Sequence, residues 1–187
     1  MQLILASESP RRRDILSALG AVFEVRSLPV EELKYSDDPE NLPCINARLK
    51  ANAVAERYPD DLVLGADTIV FHEGRILGKP ADAAEAEEML LSLSGSVHRV
   101  ITGVSLRSCN HRIDLCWRET TLVSFRPFSR ETVRAYMQKV PVLDKAGAYG
   151  IQEYGDMLLG SMEGELENVI GLPVKKLQQI LKDLKCL

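Results

Sequence analysis

Hydrophobic and polar positions follow two different periods along the chain, and the changes of period predict its secondary structure. Short apolar or alternating stretches, which are typical of β-strands, occupy residues 2–6, 21–26, 62–71, 97–106 and 113–125. Segments with one apolar face at helical spacing occupy residues 10–19, 45–58, 82–93, 129–139 and a final stretch that begins at Pro173. Strands and helices therefore intermix, which predicts a mixed α/β fold.

Cap and turn residues mark the ends of several of these elements. Ser9 and Asp82 stand at expected helix N-cap positions, and Gly20 is placed to end the first helix. The pair Glu73-Gly74 predicts a tight turn after the third long apolar stretch, and a short polar segment joins the last two strands into a long hairpin. Two hairpins favour a sheet with antiparallel as well as parallel strands.

Composition predicts one self-sufficient domain. The 187 residues are 45% hydrophobic, which is enough to form a core without disulfides or a structural metal. Residues 28–43 and most of 146–164 are predicted to be loop, and the second of these ends in a short strand. We expect a single domain over residues 1–187, made of two closely joined lobes without a separable linker.

The charge balance and the missing targeting patterns exclude several classes of protein. Lys and Arg number 23 against 27 Asp and Glu, a net charge of −4, which argues against a broad surface for long nucleic acids but allows a local basic pocket. No apolar run approaches the roughly 20 residues of a membrane helix, and no signal peptide is recognisable. Four cysteines without a Cys-x-x-Cys pair predict a reduced, cytoplasmic protein.

The N-terminal motif is the first candidate for chemistry. A predicted strand ends directly before a helix whose free N–H groups suit an anion. Arg11 and Arg12 add guanidinium groups that bind phosphate bidentately, and Ser7 and Ser9 add hydroxyls. Because cations oppose the helix dipole at this end, a bound anion would offset their cost. The alternative is an ordinary basic turn with a Ser-Pro cap.

A carboxylate in the most apolar strand is the second candidate. Asp67, followed by Thr68, interrupts the stretch at 62–71, and such a carboxylate costs free energy unless it is paired, protonated or bound to metal. The alternative is a solvent-facing residue at a strand end. Glu31 and Glu32 are expected to be solvated unless folding brings them near Asp67, where two carboxylates and a phosphate chain would suit Mg²⁺.

Two further loops carry residues that could meet a ligand. The Gly-Lys-Pro sequence containing Lys79 is not a Walker A loop, because Glu73 and Pro80 break that pattern. Lys79 is either a surface lysine or a phosphate contact. Residues 143–152 contain two glycines three apart, which form either a structural turn or a close approach to a ligand. Gln152 carries an amide that can both donate and accept.

Taken in order along the chain, these motifs resemble those of the Maf family of nucleoside triphosphate pyrophosphatases. The matching sequences are Ser-x-Ser-Pro-Arg-Arg from Ser7, Gly-Ala-Asp-Thr from Gly65, Gly-Lys-Pro from Gly78, Asp-Lys-Ala-Gly-Ala-Tyr-Gly-Ile-Gln from Asp144 and Asn-Val-Ile-Gly-Leu-Pro from Asn168. The resemblance implies an elongated mixed α/β sheet flanked by helices, in two lobes with the site in a central cleft, similar to inosine triphosphate pyrophosphatases.

The resemblance also implies an activity and a role for each matching residue. The activity is hydrolysis between the α- and β-phosphates with Mg²⁺ or Mn²⁺, in the cytoplasm, by a protein that is often a homodimer. Asp67 matches the proton acceptor, and Glu32 matches an acidic residue proposed as metal ligand or base, so both are candidate catalytic residues and candidate metal ligands. The positions that match substrate-binding residues are Ser7, Arg11, Arg12, Lys50, Thr68, Lys79 and Gln152.

The resemblance also implies a substrate preference, through three of these positions. Arg11, Thr68 and Gln152 match the branch of the family that acts on dTTP and UTP. Glu165 and Leu166 depart from the residues usual before the Asn168 motif, which affects local contacts rather than the reaction. The alternatives are a pyrophosphatase for methylated GTP, a house-cleaning enzyme for modified pyrimidine nucleotides, and a nucleotide-binding regulator of septum formation without turnover.

Overall fold

The computed structural model describes residues 1–187 and contains seven strands and six helices. The strands are β1 (Leu3–Leu5), β2 (Phe23–Val25), β3 (Leu62–His72), β4 (Arg75–Leu77), β5 (Val97–Ser108), β6 (Ile113–Phe125) and β7 (Leu159–Glu163). The helices are α1 (Pro10–Ala18), α2 (Leu42–Ala55), α3 (Ala83–Leu93), α4 (Arg130–Met137), α5 (Leu166–Ile170) and α6 (Lys175–Asp183). None of these helices has the length and apolar composition needed to cross a membrane.

The strands form one mixed sheet in the order β2-β1-β3-β5-β6-β7, and β4 pairs with β3. Strand β1 runs parallel to both β2 and β3. Strand β4 is antiparallel to β3, and β7 is antiparallel to β6. The predicted mixed α/β class and the turn at Glu73-Gly74 are therefore confirmed.

Two compact units divide the chain. Unit 1 comprises residues Met1–Asp67, Thr102–Glu119 and Gly171–Leu187, and unit 2 comprises Thr68–Ile101 and Thr120–Ile170. The first boundary falls inside β3, between Asp67 and Thr68. The long strands β3, β5 and β6 therefore each contribute residues to both units.

Small residues allow helix α2 to pack very closely on the sheet of unit 1. A Cβ atom added to Gly65 of β3 would lie far inside van der Waals contact with the carbonyl oxygen of Ala47 and 2.9 Å from the nitrogen of Ala51. Ala47 and Ala51 are themselves fully buried. At Gly103 of β5, an added Cβ would collide with the backbone of Pro43. The backbone of α2 therefore rests directly on strand glycines.

Helices α3 and α4 cover the core of unit 2. Leu90 and Leu93 of α3 and Val133 and Tyr136 of α4 are fully buried in one apolar cluster. The predicted N-cap of α3 is confirmed. The Asp82 carboxylate accepts a hydrogen bond from the Glu85 N–H at 2.9 Å and so satisfies a free donor of the first helical turn. Burial of these apolar faces supplies most of the stability of such helices.

Two local features differ from the prediction. Helix α2 begins at Leu42 rather than 45, after a 3-10 turn at Pro39–Asn41, because a proline in the first turn of a helix is tolerated rather than disruptive. The predicted N-cap of α1 at Ser9 is confirmed, although its hydroxyl makes no capping bond. The short helix α5, which contains the departing residue Leu166, was not predicted.

Candidate active site

Asp67 is paired, as one of the three states expected of a carboxylate in an apolar strand. Its Oδ1 accepts a hydrogen bond from Lys50 Nζ at 2.8 Å, and both side chains are mostly buried, at 12% and 15% exposed. Lys50 Nζ also lies 2.8 Å from Glu32 Oε2. The fold of unit 1 thus brings together three residues that are distant in the sequence. Glu32 lies 18 positions before Lys50, and Asp67 lies 17 positions after it.

Asn46 completes this group and was not among the sequence candidates. Its amide donates to Asp67 Oδ2 at 3.2 Å, and it also bonds both main-chain groups of Leu33. Asn46 lies one helical turn before Lys50, so both project from the same face of α2. The only signal in the sequence is this four-residue spacing of two polar residues within an otherwise apolar helix face.

Arg12 finds partners within unit 1. Its Nη1 donates to Ser7 Oγ at 3.1 Å and its Nε donates to the Gly171 carbonyl at 2.9 Å. Burial lowers the pKa of Arg12, while the negative charges of Asp67 and Glu32 oppose that shift. Protein groups therefore already offset part of the cost of Arg12 at the N-terminus of α1, and its role toward an anion stays a prediction.

Ser7, rather than Ser9, organises the entrance of α1. The Ser7 hydroxyl accepts from the Ser9 N–H at 3.3 Å as well as from Arg12, and Ser7 is buried. Arg11 lies in the first turn of α1 and is partly exposed. Ser7, Arg11 and Arg12 share one helix end, and their roles toward phosphate stay predictions.

Unit 2 brings two of the predicted motifs together. The Gly78 carbonyl accepts from the Gly147 N–H at 3.0 Å, which joins the Gly-Lys-Pro loop to the glycine loop. A Cβ at Gly147 would lie 2.9 Å from the Val70 side chain, and the residue has a φ of +67°. Glycine is therefore required at Gly147 both by space and by its left-handed conformation. Lys79, next to this contact, is exposed.

Two buried side chains that were not among the site predictions hold the rest of the glycine loop. Lys145 is only 4% exposed, and its Nζ contacts the Pro141 carbonyl at 2.7 Å and Glu153 Oε1 at 3.3 Å. The Tyr136 hydroxyl accepts from the Gly150 N–H at 2.9 Å. These contacts fix both sides of the segment that ends in the exposed Gln152. Thr68 is partly buried on β3.

A buried histidine, His98, contacts Tyr149 of the same glycine loop. His98 Nε2 lies 2.8 Å from the Tyr149 hydroxyl, and the two rings meet edge to face at a centroid distance of 5.4 Å. His98 is 2% exposed. Burial, helped by the nearby His72, lowers the pKa of His98 to about 3. The histidine therefore acts as a neutral core residue rather than as a catalytic acid or base.

Neutral burial of His98 predicts a loss of stability in mild acid. The unfolded chain protonates this histidine below a pKa of about 6.5, whereas the folded protein resists protonation down to about 3. Stability therefore falls as the pH drops through that window, by about 1.4 kcal/mol per unit. Between pH 7.5 and 5, we expect the wild type to lose about 2 kcal/mol more than His98→Gln in urea unfolding.

The matched control for this measurement is His111→Gln. His111 is exposed in the turn between β5 and β6, so the variant makes the same chemical change without altering a buried side chain. An identical pH dependence for the wild type, His98→Gln and His111→Gln would contradict the buried neutral state of His98.

The carboxylates of unit 1 have the donor chemistry of a magnesium site. Glu32 and Asp67 both approach one cation, the Lys50 ammonium, at 2.8 Å. Mg²⁺ at phosphate-handling sites is held by one or two carboxylates together with phosphate oxygens and water. Two oxygen-donating side chains around a shared cationic position therefore fit such an ion.

Comparison with solved structures identifies the class of fold. The Ham1 protein of Staphylococcus aureus matches 98% of this chain, and 100% of that chain is covered, with a TM-score of 0.58 and 16% sequence identity. At this identity, the likeness establishes a shared mixed α/β fold alone.

Sequence comparison then identifies the family. The family described as Maf-like protein matches residues 2–184. A dTTP/UTP pyrophosphatase of Akkermansia muciniphila is 45% identical over 183 residues, which cover 97% of this chain and 96% of that protein. A dTTP/UTP pyrophosphatase of Symbiobacterium thermophilum is 48% identical over 181 residues, covering 96% and 92%. The chain belongs to the Maf family, as its motifs predicted.

Proposed function

We propose that the protein hydrolyses dTTP and UTP between the α- and β-phosphates, giving the nucleoside monophosphate and pyrophosphate. The relatives named dTTP/UTP pyrophosphatase, which cover nearly the whole chain at 45% and 48% identity, support this activity. The structural observation that carries it is the contact of Asp67 with Lys50, which itself contacts Glu32. A carboxylate and a cation are thereby held at one position for a reaction that needs both.

Asp67 is the proposed proton acceptor for the attacking water. Its two oxygens each accept one hydrogen bond, from Lys50 and from Asn46, and each carboxylate oxygen has two lone pairs. Asp67 therefore keeps acceptor capacity for a water molecule. The water oxygen bonds to the α-phosphorus, its proton passes to Asp67, and the bond from the α-phosphorus to the bridging oxygen breaks as pyrophosphate leaves.

Cationic residues of unit 1 are the proposed phosphate ligands. Ser7, Arg11 and Arg12 at the start of α1 present a hydroxyl and two guanidinium groups, and Lys50 adds an ammonium. Fixed positive groups stabilise the charge that develops on phosphate oxygens during the reaction. Thr68, Lys79 and Gln152 are proposed as further substrate-binding residues, because they match such positions of the family.

Glu32 and Asp67 are the proposed ligands of a divalent cation, Mg²⁺ or Mn²⁺. Such an ion neutralises charge on the phosphates and on the leaving pyrophosphate. Lys50 would keep the two carboxylates close before the ion arrives, because it already bonds to both.

Product analysis in ¹⁸O-labelled water tests the proposed reaction. Purified protein is incubated with Mg²⁺ and dTTP, UTP, CTP or methylated GTP. The products are then separated, and the mass of each is measured by mass spectrometry. We expect dTMP or UMP that carries the label, together with unlabelled pyrophosphate, because attack falls on the α-phosphorus. Label in pyrophosphate, or release of orthophosphate with a nucleoside diphosphate, would refute the assigned bond cleavage.

Substrate comparison in the same assay separates the alternatives. Faster turnover of methylated GTP than of dTTP and UTP would move the protein to the other branch of the family. Tight binding of dTTP by calorimetry without any hydrolysis would favour a nucleotide-binding regulator. We do not expect a preference for methylated GTP, because the relatives at 45% and 48% identity are named dTTP/UTP pyrophosphatase. We do not expect binding without hydrolysis, because Asp67 retains its partners and its acceptor capacity.

We further propose a cytoplasmic homodimer, as the family resemblance implies. The four cysteines are all free thiols, which is consistent with a reducing compartment. Sedimentation of the purified protein at micromolar concentration measures the oligomeric state directly.

A further inference from the structure

Asn46 is a buried amide whose hydrogen-bonding groups are all engaged. Its oxygen accepts from the Leu33 N–H at 2.8 Å, and its nitrogen donates to the Leu33 carbonyl at 3.0 Å and to Asp67 Oδ2 at 3.2 Å. The Leu33 N–H can only donate, which fixes the orientation of the amide. Two donors and one acceptor therefore join three groups in one arrangement.

These bonds connect a loop without secondary structure to the candidate catalytic strand. Residues 31–35 are exposed and lie outside any helix or strand, so burial contributes little to their position. Leu33 follows directly after Glu32, the second candidate carboxylate. The two bonds from Asn46 fix the main chain at Leu33. Because Glu32 is the preceding residue, they also restrict the position of its Cα atom and hence the reach of its carboxylate.

The other buried residues near Asn46 on α2 are apolar. Asn46 is 3% exposed, and its neighbours on the buried face of α2, Ala47, Ala51 and Val54, are apolar and fully buried. A buried polar side chain stabilises a fold only as far as its hydrogen bonds offset its desolvation. Replacement of Asn46 by an apolar residue of similar size therefore removes the bonds to Leu33 and Asp67.

We propose that Asn46 is a positioning residue that holds the Glu32 segment beside Asp67, so that both carboxylates meet at Lys50. This inference rests on the proposed hydrolysis of dTTP and UTP and adds a further determinant to the same site. Asn46 acts through Glu32 and Asp67 and does not itself touch the substrate.

The test combines Asn46→Leu with Glu32→Gln in a double-mutant cycle. We expect Asn46→Leu to lower kcat about tenfold in the wild-type background and at most threefold in the Glu32→Gln background, because part of its effect passes through Glu32. Equal fold losses in the two backgrounds would overturn the positioning role. A kcat of Asn46→Leu within twofold of the wild type would do the same.

Hydrogen exchange gives a second readout that does not depend on activity. We expect amides of residues 28–36 to exchange at least tenfold faster in Asn46→Leu, while the rest of α2 keeps its protection. Unchanged exchange in this segment would overturn the tether to Leu33. If the wild type hydrolyses neither dTTP nor UTP, the proposed function fails, and the exchange result alone decides whether Asn46 holds this segment.

Asn52→Leu is the matched control, because Asn52 lies on the exposed face of the same helix. We expect wild-type kcat and wild-type exchange for it. Should Asn46→Leu not fold, Asn46→Asp replaces it. That variant keeps the size and the acceptor for the Leu33 N–H but loses both donated bonds. Because it also adds a negative charge beside Asp67, hydrogen exchange alone decides in this case: we expect residues 28–36 to exchange at least tenfold faster, and unchanged exchange would overturn the tether.

Discussion

Asp67→Asn is expected to lower kcat for dTTP by about 10²–10⁴-fold, the usual contribution of a general base. The change keeps the size of the side chain and an oxygen that accepts from Lys50, but its NH₂ group cannot accept from Asn46. The amide also cannot take a proton from water. In free-energy terms, the barrier rises by about 3–5 kcal/mol. Steady-state kinetics with quantified pyrophosphate release measure the loss, and the melting temperature should stay close to that of the wild type.

The control for Asp67→Asn is Asp60→Asn, the same chemical change at an exposed residue that bonds Asn110 at 2.7 Å. Wild-type rates are expected there. Glu32→Gln separates the two carboxylates: if Glu32 is chiefly a metal ligand, a higher Mg²⁺ concentration should restore part of its activity, whereas Asp67→Asn should not recover. Activity of Asp67→Asn within tenfold of the wild type would remove Asp67 from the role of proton acceptor.

Gly65→Ala is expected to reduce both stability and activity, although the added group is a single methyl. Its Cβ would collide with the Ala47 carbonyl and lie 2.9 Å from the Ala51 nitrogen, and backbone atoms cannot move aside as a flexible side chain does. Overpacking of this kind costs about 1–3 kcal/mol, which corresponds to a melting temperature lower by roughly 2–12 °C in a protein of this size.

The same collision should displace α2, which carries Lys50 and Asn46 over Asp67. We therefore expect kcat to fall at least tenfold in Gly65→Ala, even at temperatures where the variant remains folded. Gly155→Ala is the control, because its Cβ would meet only the Ile151 side chain at 3.6 Å. Equal melting temperatures and rates for the two variants would show that the close approach of α2 to β3 is not needed.

Local patterns predicted most secondary-structure elements because each depends on neighbouring residues. The strand around Asp67, the cap at Asp82 and the turn at Glu73-Gly74 were all predicted from short segments. The start of α2 was misplaced because proline in the first helical turn and proline in a loop leave the same local signal. The helix α5 is only five residues long, too short for a periodic pattern to emerge.

Fewer residues of the candidate site than of the secondary structure could be predicted from the sequence. Local patterns named Asp67 and Glu32 separately, and the resemblance added Lys50 and supplied the roles of all three. The link through Asn46 escaped prediction, because its partners Leu33 and Asp67 are 13 and 21 residues away. The same holds for Lys145 and Tyr136, whose importance comes from main-chain groups that they meet only after folding.

The sequence by itself determined the mixed α/β class, the order of the elements and membership of the Maf family. Hydrophobic period, caps and ordered motifs are all properties of the chain read in one dimension. Only the tertiary structure decided that Lys50 joins Glu32 to Asp67 and that Arg12 is held by Ser7 and Gly171. Such contacts depend on how closely backbones approach at Gly65, and a distance between segments far apart in sequence leaves no periodic signal.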